Sequence, residues 1–253
     1  MIDTHAHLQD KMFENVDEII NSAKESGVNK IVCASSDENS SLNAVELANR
    51  YECVFATVGV HPEEANSFNE QTISVLEHLA QNKKVVAIGE IGLDYCHEFA
   101  TREKQKEVFL KQIDLAQKLK LPVVIHSRDA TGDTLEILKQ NAHKLTNGVC
   151  IHCFSMSTEI LKEITKMGFY ISLGGIVTFK NANNVLNVAK ECDINLLMLE
   201  TDCPYLAPVP FRSKINQPKY VVKTLEKIAE IRGLEVKELE EITTKNAERF
   251  YKI

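Results

Sequence analysis

The chain has 253 residues, 44% of them hydrophobic, with a formal net charge of −7. Enough apolar material is present for a core that needs no staple, and the length suits one large α/β barrel or two modest domains. The acidic balance excludes a protein that coats a long duplex through a basic face, but not one that holds a single phosphodiester in a cleft with metal ions and a few local cations.

The seven cysteines (33, 53, 96, 150, 153, 192 and 203) are odd in number and scattered among apolar runs. With no basic and apolar leader at the start, a reduced, cytoplasmic protein is expected. No apolar run approaches the ~20 residues of a membrane span, so no membrane association is expected. No segment marks an obligate protein partner.

Eight short strand-like runs are each followed by a helix-like run. The first, Ile2 to Thr4, leads into His5-Ala6-His7. The next are Lys30 to Ser35, Val54 to Val60, Val85 to Glu90 and Val123 to His126. Val149 to His152, Tyr170 to Leu173 and Leu196 to Thr201 complete the set. Between the fourth and fifth, Phe109, Ile113, Ala116 and Leu119 form one apolar stripe, with Lys106, Lys111 and Lys118 away from it. Pro122 ends that helix. Strands alternating with helices predict βαβ units, and eight of them predict closure. The expected fold class is α/β: a single (β/α)8 TIM barrel spanning 1–253, slightly irregular. A proline-rich stretch from Cys203 to Gln217 precedes two closing helices, Pro218 to Ile231 and Val236 to Phe250, one of them an extra C-terminal helix.

In such a barrel the active site lies at the C-terminal ends of the strands. Ligand-type residues stand there. His5 and His7 share a face of the first strand because side chains alternate. His61 follows the third strand, Glu90 ends the fourth, His126 the fifth and His152 the sixth, and Asp202 follows the eighth. Alternation puts Val86, Ile88 and Glu90 on one face, and likewise Met198, Glu200 and Asp202. Burying two carboxylates together requires compensating cations, and metal ions provide them. Six ligands exceed one tetrahedral zinc and suit two divalent ions. The expected partition gives His5 and His7 to one ion, His126 and His152 to the other, and Glu90 to both. Asp202 binds the first ion and is the expected base for a water whose proton is acidified there. Two such ions suit in-line cleavage of a phosphodiester, with His61, Arg128, Arg212 and Lys214 as expected contacts to phosphate or the leaving oxygen. Glu200, Asp3 and Asp94 are expected to support the ligands from behind.

Other motifs carry less. Cys150-Ile151-His152-Cys153 spells C-x-x-C, but along a strand its cysteines fall on opposite faces, which suits packing rather than redox chemistry. Gly174-Gly175 lacks the Lys-Ser/Thr ending of a phosphate loop and is expected to be a tight turn.

The ordered set Asp3-Thr4-His5-Ala6-His7, Gly59-Val60-His61-Pro62, Gly89-Glu90-Ile91-Gly92-Leu93-Asp94-Tyr95, Pro122 to Arg128, His152-Cys153-Phe154-Ser155 and Glu200-Thr201-Asp202-Cys203-Pro204-Tyr205 resembles the TatD family of metal-dependent deoxyribonucleases, within the amidohydrolase-like barrels. The resemblance implies that His5, His7, Glu90, His126, His152 and Asp202 are the metal ligands. It also implies hydrolysis of DNA from an end, with magnesium or another divalent ion. A His-rich site by its own chemistry accepts Zn, Mn, Ni or Mg, and the acidic balance suits DNA ends or single strands. Members often read Arg-Gly-Lys after the eighth strand, where this chain has Arg212-Ser213-Lys214. A serine lacks glycine's freedom at positive φ.

Two other classes are weighed. Related barrels cut esters, amides or lactones, aminoacyl esters among them, and many bridge their metals with a carboxylated lysine where this chain has Glu90. Activity on a small ester with none on DNA would favour that class. A non-catalytic binding protein would be marked by a lost ligand, and all six are present.

Overall fold

A computed structural model describes residues 1–97 and 99–253. In chain order the elements begin β1 (Ile2–Ala6), α1 (Val16–Glu25), β2 (Lys30–Cys33), α2 (Glu38–Arg50), β3 (Val54–Val58), α3 (Glu70–Leu79) and β4 (Val85–Asp94). They continue with α4 (Arg102–Leu119), β5 (Val123–Arg128), α5 (Thr131–Gln140), β6 (Val149–Ile151), α6 (Thr158–Lys166) and β7 (Tyr170–Leu173). The last are α7 (Asn183–Glu191), β8 (Leu197–Leu199), α8 (Val221–Arg232) and α9 (Val236–Tyr251). The strands are ordered β1 to β8 in one eight-stranded sheet. This is the (β/α)8 barrel that the alternation of elements predicts, with α9 as the additional C-terminal helix.

The described chain divides into two compact units, Met1–Cys33 with Cys153–Ile253, and Ala34–His152. In the first, β1 runs parallel to β2 and β7 to β8. The first and last strands meet just beyond β8. The His7 N–H donates to the Cys203 carbonyl at 2.7 Å, and the Asp202 N–H to the His5 carbonyl at 2.9 Å. α9 buries Leu239, Thr243, Asn246 and Phe250 on one side, as an amphipathic helix must. From that side the Asn246 amide donates to the Ile194 and Leu197 carbonyls, and the Tyr251 hydroxyl to the Thr4 carbonyl. These bonds satisfy backbone carbonyls in the middle of β1, at the start of β8 and in the turn ahead of it.

In the second unit β3, β4, β5 and β6 lie side by side, all parallel. All ten residues of β4 are buried, which explains its nearly unbroken apolar composition. Its register against β5 slips between Ile88 and Ile91, so that the three steps from 88 to 91 oppose the two from Val123 to Ile125. Glu90 sits in this bulge, a device that re-aims a side chain. α4 is capped by Thr101, whose side chain accepts the Lys104 N–H, and it ends at Lys120 in the left-handed region (φ 56°).

Several boundaries differ from the sequence reading. β1 continues to Ala6 and β4 to Asp94, whereas β8 stops at Leu199 rather than Thr201, and His152 lies just past β6. β8 stops early because the Thr201 N–H is taken by the Asp3 side chain (2.9 Å). Asp202 then turns into the left-handed region at φ 57°. Strand alternation therefore does not reach Asp202, and placing it on one face with Met198 and Glu200 is corrected. Cys153 likewise has a positive φ (46°) beyond the strand, so the opposite-face argument for the C-x-x-C pair does not apply to it.

Candidate metal centre

In the first unit, β1 delivers His5 and His7, and the turn after β8 delivers Asp202. The two Nε2 atoms are 3.3 Å apart, and Asp202 Oδ1 is 3.4 Å from His7 Nε2 and 3.8 Å from His5 Nε2. Donors ~2.0–2.2 Å from a tetrahedral cation stand about 3.3–3.6 Å from one another, so this trio fits a divalent ion. His5 is buried and the other two are partly exposed, which leaves one side open to solvent. Behind the trio, Asp3 accepts the Thr201 N–H and hydroxyl at 2.9 and 2.6 Å. Its oxygens bond the backbone N–H of His5 (3.4 Å) and Thr201 rather than an imidazole, so its expected support of a ligand ring is corrected to a brace between β1 and the turn bearing Asp202. Burial, only partly offset by those hydrogen bonds, pushes the Asp3 carboxyl up to about 8. Glu200 accepts the Cys153 N–H at 2.6 Å and the Ser172 hydroxyl.

In the second unit, one carboxylate oxygen gathers three imidazoles. Glu90 Oε1 lies 2.7 Å from His152 Nε2, 2.9 Å from His126 Nδ1 and 3.4 Å from His61 Nε2. His126 Nδ1 and His152 Nε2 are 3.3 Å apart. His126 is turned so that its other nitrogen, Nε2, meets Asp94 Oδ2 at 2.8 Å. That bond keeps a proton on Nε2 and turns the Nδ1 lone pair inward, the carboxylate–histidine support common behind metal ligands. Burial alone would raise the Asp94 carboxyl, but His126 and the N–H groups of Cys96 and His97 outweigh it and hold it below its usual range. Burial lowers His126, and Asp94 with Glu90 more than reverses this.

His61 differs from the other imidazoles. Its Nδ1 accepts the Glu63 N–H at 3.2 Å, capping the short 3-10 turn Pro62–Ser67. With Nδ1 used as an acceptor, the ring proton of neutral His61 sits on Nε2, which therefore donates toward Glu90. The group His61, Glu90 and His126 has metal-site spacing, yet this tautomer makes His61 a donor rather than a ligand.

The expected phosphate contacts are placed as follows. Arg128 is exposed at the end of β5, 3.3 Å from His97 Nε2. Arg212 stands over the Phe179 ring, its guanidinium carbon 3.7 Å from the ring centre, and donates to the Ala207 carbonyl. Lys214 is exposed, 5.6 Å from the Phe211 ring centre. Among the described residues, none of the three is hydrogen-bonded or ion-paired to a member of either histidine cluster. Ser213 is not among the residues of positive φ, so glycine's freedom is not needed there.

The sequence reading missed two residues, Gln105 and Gln112. Both are buried in α4, seven residues apart on its apolar stripe. Gln112 accepts the Val60 N–H at 2.8 Å and donates to the Val60 carbonyl at 2.9 Å, next to His61. Gln105 makes the same pair of bonds with Asp94, both at 2.8 Å. A glutamine repeating at seven on a core-facing stripe is the signal that would have found them.

Histidine and carboxylate clusters at the strand ends of a parallel (β/α)8 fold define the class of metal-dependent hydrolases. The family model for TatD related DNase matches residues 2–252. The chain belongs to that family. It is 42% identical to YabD of Bacillus subtilis, described as an uncharacterized metal-dependent hydrolase, with 100% of this chain and 99% of that protein covered. It is 36% identical to YcfH of Escherichia coli, described in the same words, over 100% of this chain and 96% of that one. Among solved structures, the TatD homologue YjjV of Escherichia coli superposes with a TM-score of 0.94 at 26% identity, covering 100% of this chain and 98% of the other. Among the described residues, no helix is long and apolar enough to cross a membrane.

Proposed function

We propose that this hydrolase cleaves phosphodiester bonds of DNA, working from ends or on single strands, with two divalent ions. The observation that carries the reading is the donor chemistry: one trio of His5, His7 and Asp202, and one of Glu90, His126 and His152, each at ligand spacing. The C-terminal strand ends of this fold class share one active face. In that class each trio has the donors for one divalent ion, with Asp202 as the carboxylate of the first and Glu90 that of the second.

Bound there, the ions would supply Lewis-acid polarisation of a phosphoryl oxygen and a nucleophilic water at neutral pH. The chain's own groups do the rest. Asp202, partly exposed and bordering His7, takes the proton of the attacking water at Oδ2, Oδ1 being the donor of the trio. His61 Nε2–H, directed toward Glu90 at a long 3.4 Å, would turn to the leaving oxygen once Glu90 is engaged as a ligand, and its capped Nδ1 keeps the proton on Nε2. Asp94 holds the His126 ring in one orientation. Arg128, Arg212 and Lys214 bind phosphates farther along the strand.

The family description supports DNA as substrate, and a glutamate at the bridging place, needing no carboxylation, separates this chain from many amide- and lactone-cutting barrels. The test is end-labelled single-stranded DNA incubated with metal-stripped protein, each ion restored in turn, with Glu90→Ala alongside. Cleavage should return with an ion and be absent in the variant, which should also lose metal. Turnover of an aminoacyl ester with no cut DNA would overturn the nuclease reading. A closed circle cut as fast as a linear strand would overturn the preference for ends.

A further inference from the structure

We propose that the loops following β7 and β8 form a nucleotide subsite that stacks one base of a single-stranded substrate on the Phe179–Arg212 pair, with the adjoining phosphate held by Lys180 and Arg212. This rests on the nuclease reading above.

A groove of about 360 Å³ is lined by Phe179, Lys180, Asn181, Val209 and Arg212. That volume falls at the small end of the ~300–1,000 Å³ usual for ligand pockets, the right scale for one nucleotide. Its chemistry is uneven in a telling way. In a chain of net charge −7, the groove's only ionised side chains are two cations and none of its lining residues is acidic. Arg212 is an exposed residue, and its guanidinium carbon stands 3.7 Å from the centre of the Phe179 ring, which sets a planar cation beside an aromatic plane. A nucleobase needs such a plane, and bases stack on guanidinium groups as well as on aromatic rings.

The groove is also preformed. The Val209 N–H donates to Thr178 Oγ1 at 2.8 Å, and that hydroxyl donates to the Gly175 carbonyl at 2.7 Å. A Cβ on Gly175 would stand 2.3 Å from the Leu206 carbonyl oxygen, so only glycine lets the two loops meet. Arg212 is tied to the Ala207 carbonyl, and neighbouring Phe211 stacks on Tyr220 with ring centres 4.2 Å apart. The cost of ordering a binding surface is therefore largely met before substrate arrives. The same loop carries Tyr205, whose ring centre is 6.1 Å from that of His7, so the loop that lines one side of the groove also borders the first cluster. Loops after strands seven and eight are a frequent phosphate site in this fold class.

The test uses the full chain loaded with its activating ion. The probe is a fluorescein-labelled, phosphorothioate-linked octathymidylate, which resists cleavage, beside an abasic strand of equal length and charge. Wild type should bind the base-bearing strand about 5–100-fold tighter than the abasic one by anisotropy. Phe179→Leu removes the ring, and Arg212→Lys keeps the charge but loses the plane. Each should bring that ratio to within about twofold of one, while Phe179→Tyr should preserve it. A ratio that survives both substitutions, or is near one in wild type while DNA is still cut, overturns the subsite alone. Failure to bind either strand, with hydrolysis of a small ester, overturns the nuclease reading and the subsite with it.

Discussion

Gln112→Leu isolates the contribution of one buried amide to the geometry of the strand end beside it. Gln112 is fully buried and Val60 is 1% exposed, so neither can turn to water. The side chain satisfies both backbone groups of Val60, at 2.8 and 2.9 Å. Leucine keeps the approximate volume and removes both bonds, stranding one N–H and one carbonyl. Each stranded buried group costs about 1–3 kcal/mol, so the variant should lose about 2–6 kcal/mol. That is a large share of the ~5–15 kcal/mol that holds a typical domain together. For a chain of this size the thermal midpoint should fall by on the order of 10 °C. The assay is urea unfolding followed by two probes, helix ellipticity and tyrosine fluorescence, to check that one transition is being read. Since Val60 precedes His61, turnover should fall while bound metal is retained. A stability loss below about 1 kcal/mol would refute the reasoning, because the two groups would then have other partners or never have been desolvated.

Asp94→Asn should weaken metal affinity about 10–100-fold through loss of the His126 support, read by chelator competition; unchanged affinity would show that His126 is held by other contacts. His61→Ala should leave metal content as in wild type and lower turnover, whereas a fall in metal content would place His61 among the ligands in spite of its tautomer. Asp202→Asn should keep the ion at Glu90, His126 and His152 and lose most turnover, and near wild-type cleavage would rule out the base assignment. Gly175→Ala should both lower the thermal midpoint and weaken oligonucleotide binding, since its Cβ meets the Leu206 carbonyl at 2.3 Å; a variant matching wild type in both would show that the β7 and β8 loops separate freely.

The fold class was legible in the sequence alone. Eight apolar runs alternating with amphipathic ones leave few architectures that bury both faces of a parallel sheet. Ligand residues at the ends of those runs are legible because strand direction fixes which end is the active face. What the sequence left open was set by contacts between residues far apart in the chain. Whether Asp202 continues the strand depends on Asp3, 198 positions away, capturing the Thr201 N–H. Which nitrogen of His126 faces inward depends on Asp94, 32 positions away, and the tautomer of His61 depends on the turn it caps. Gln105 and Gln112 look like polar interruptions of a helix stripe until the backbone groups they satisfy are placed beside them. Local pattern encodes which elements form, because it reports the solvent each residue prefers. Tautomer, register slip and loop contact are decided only when distant polar groups meet in a dry interior and each must find a partner.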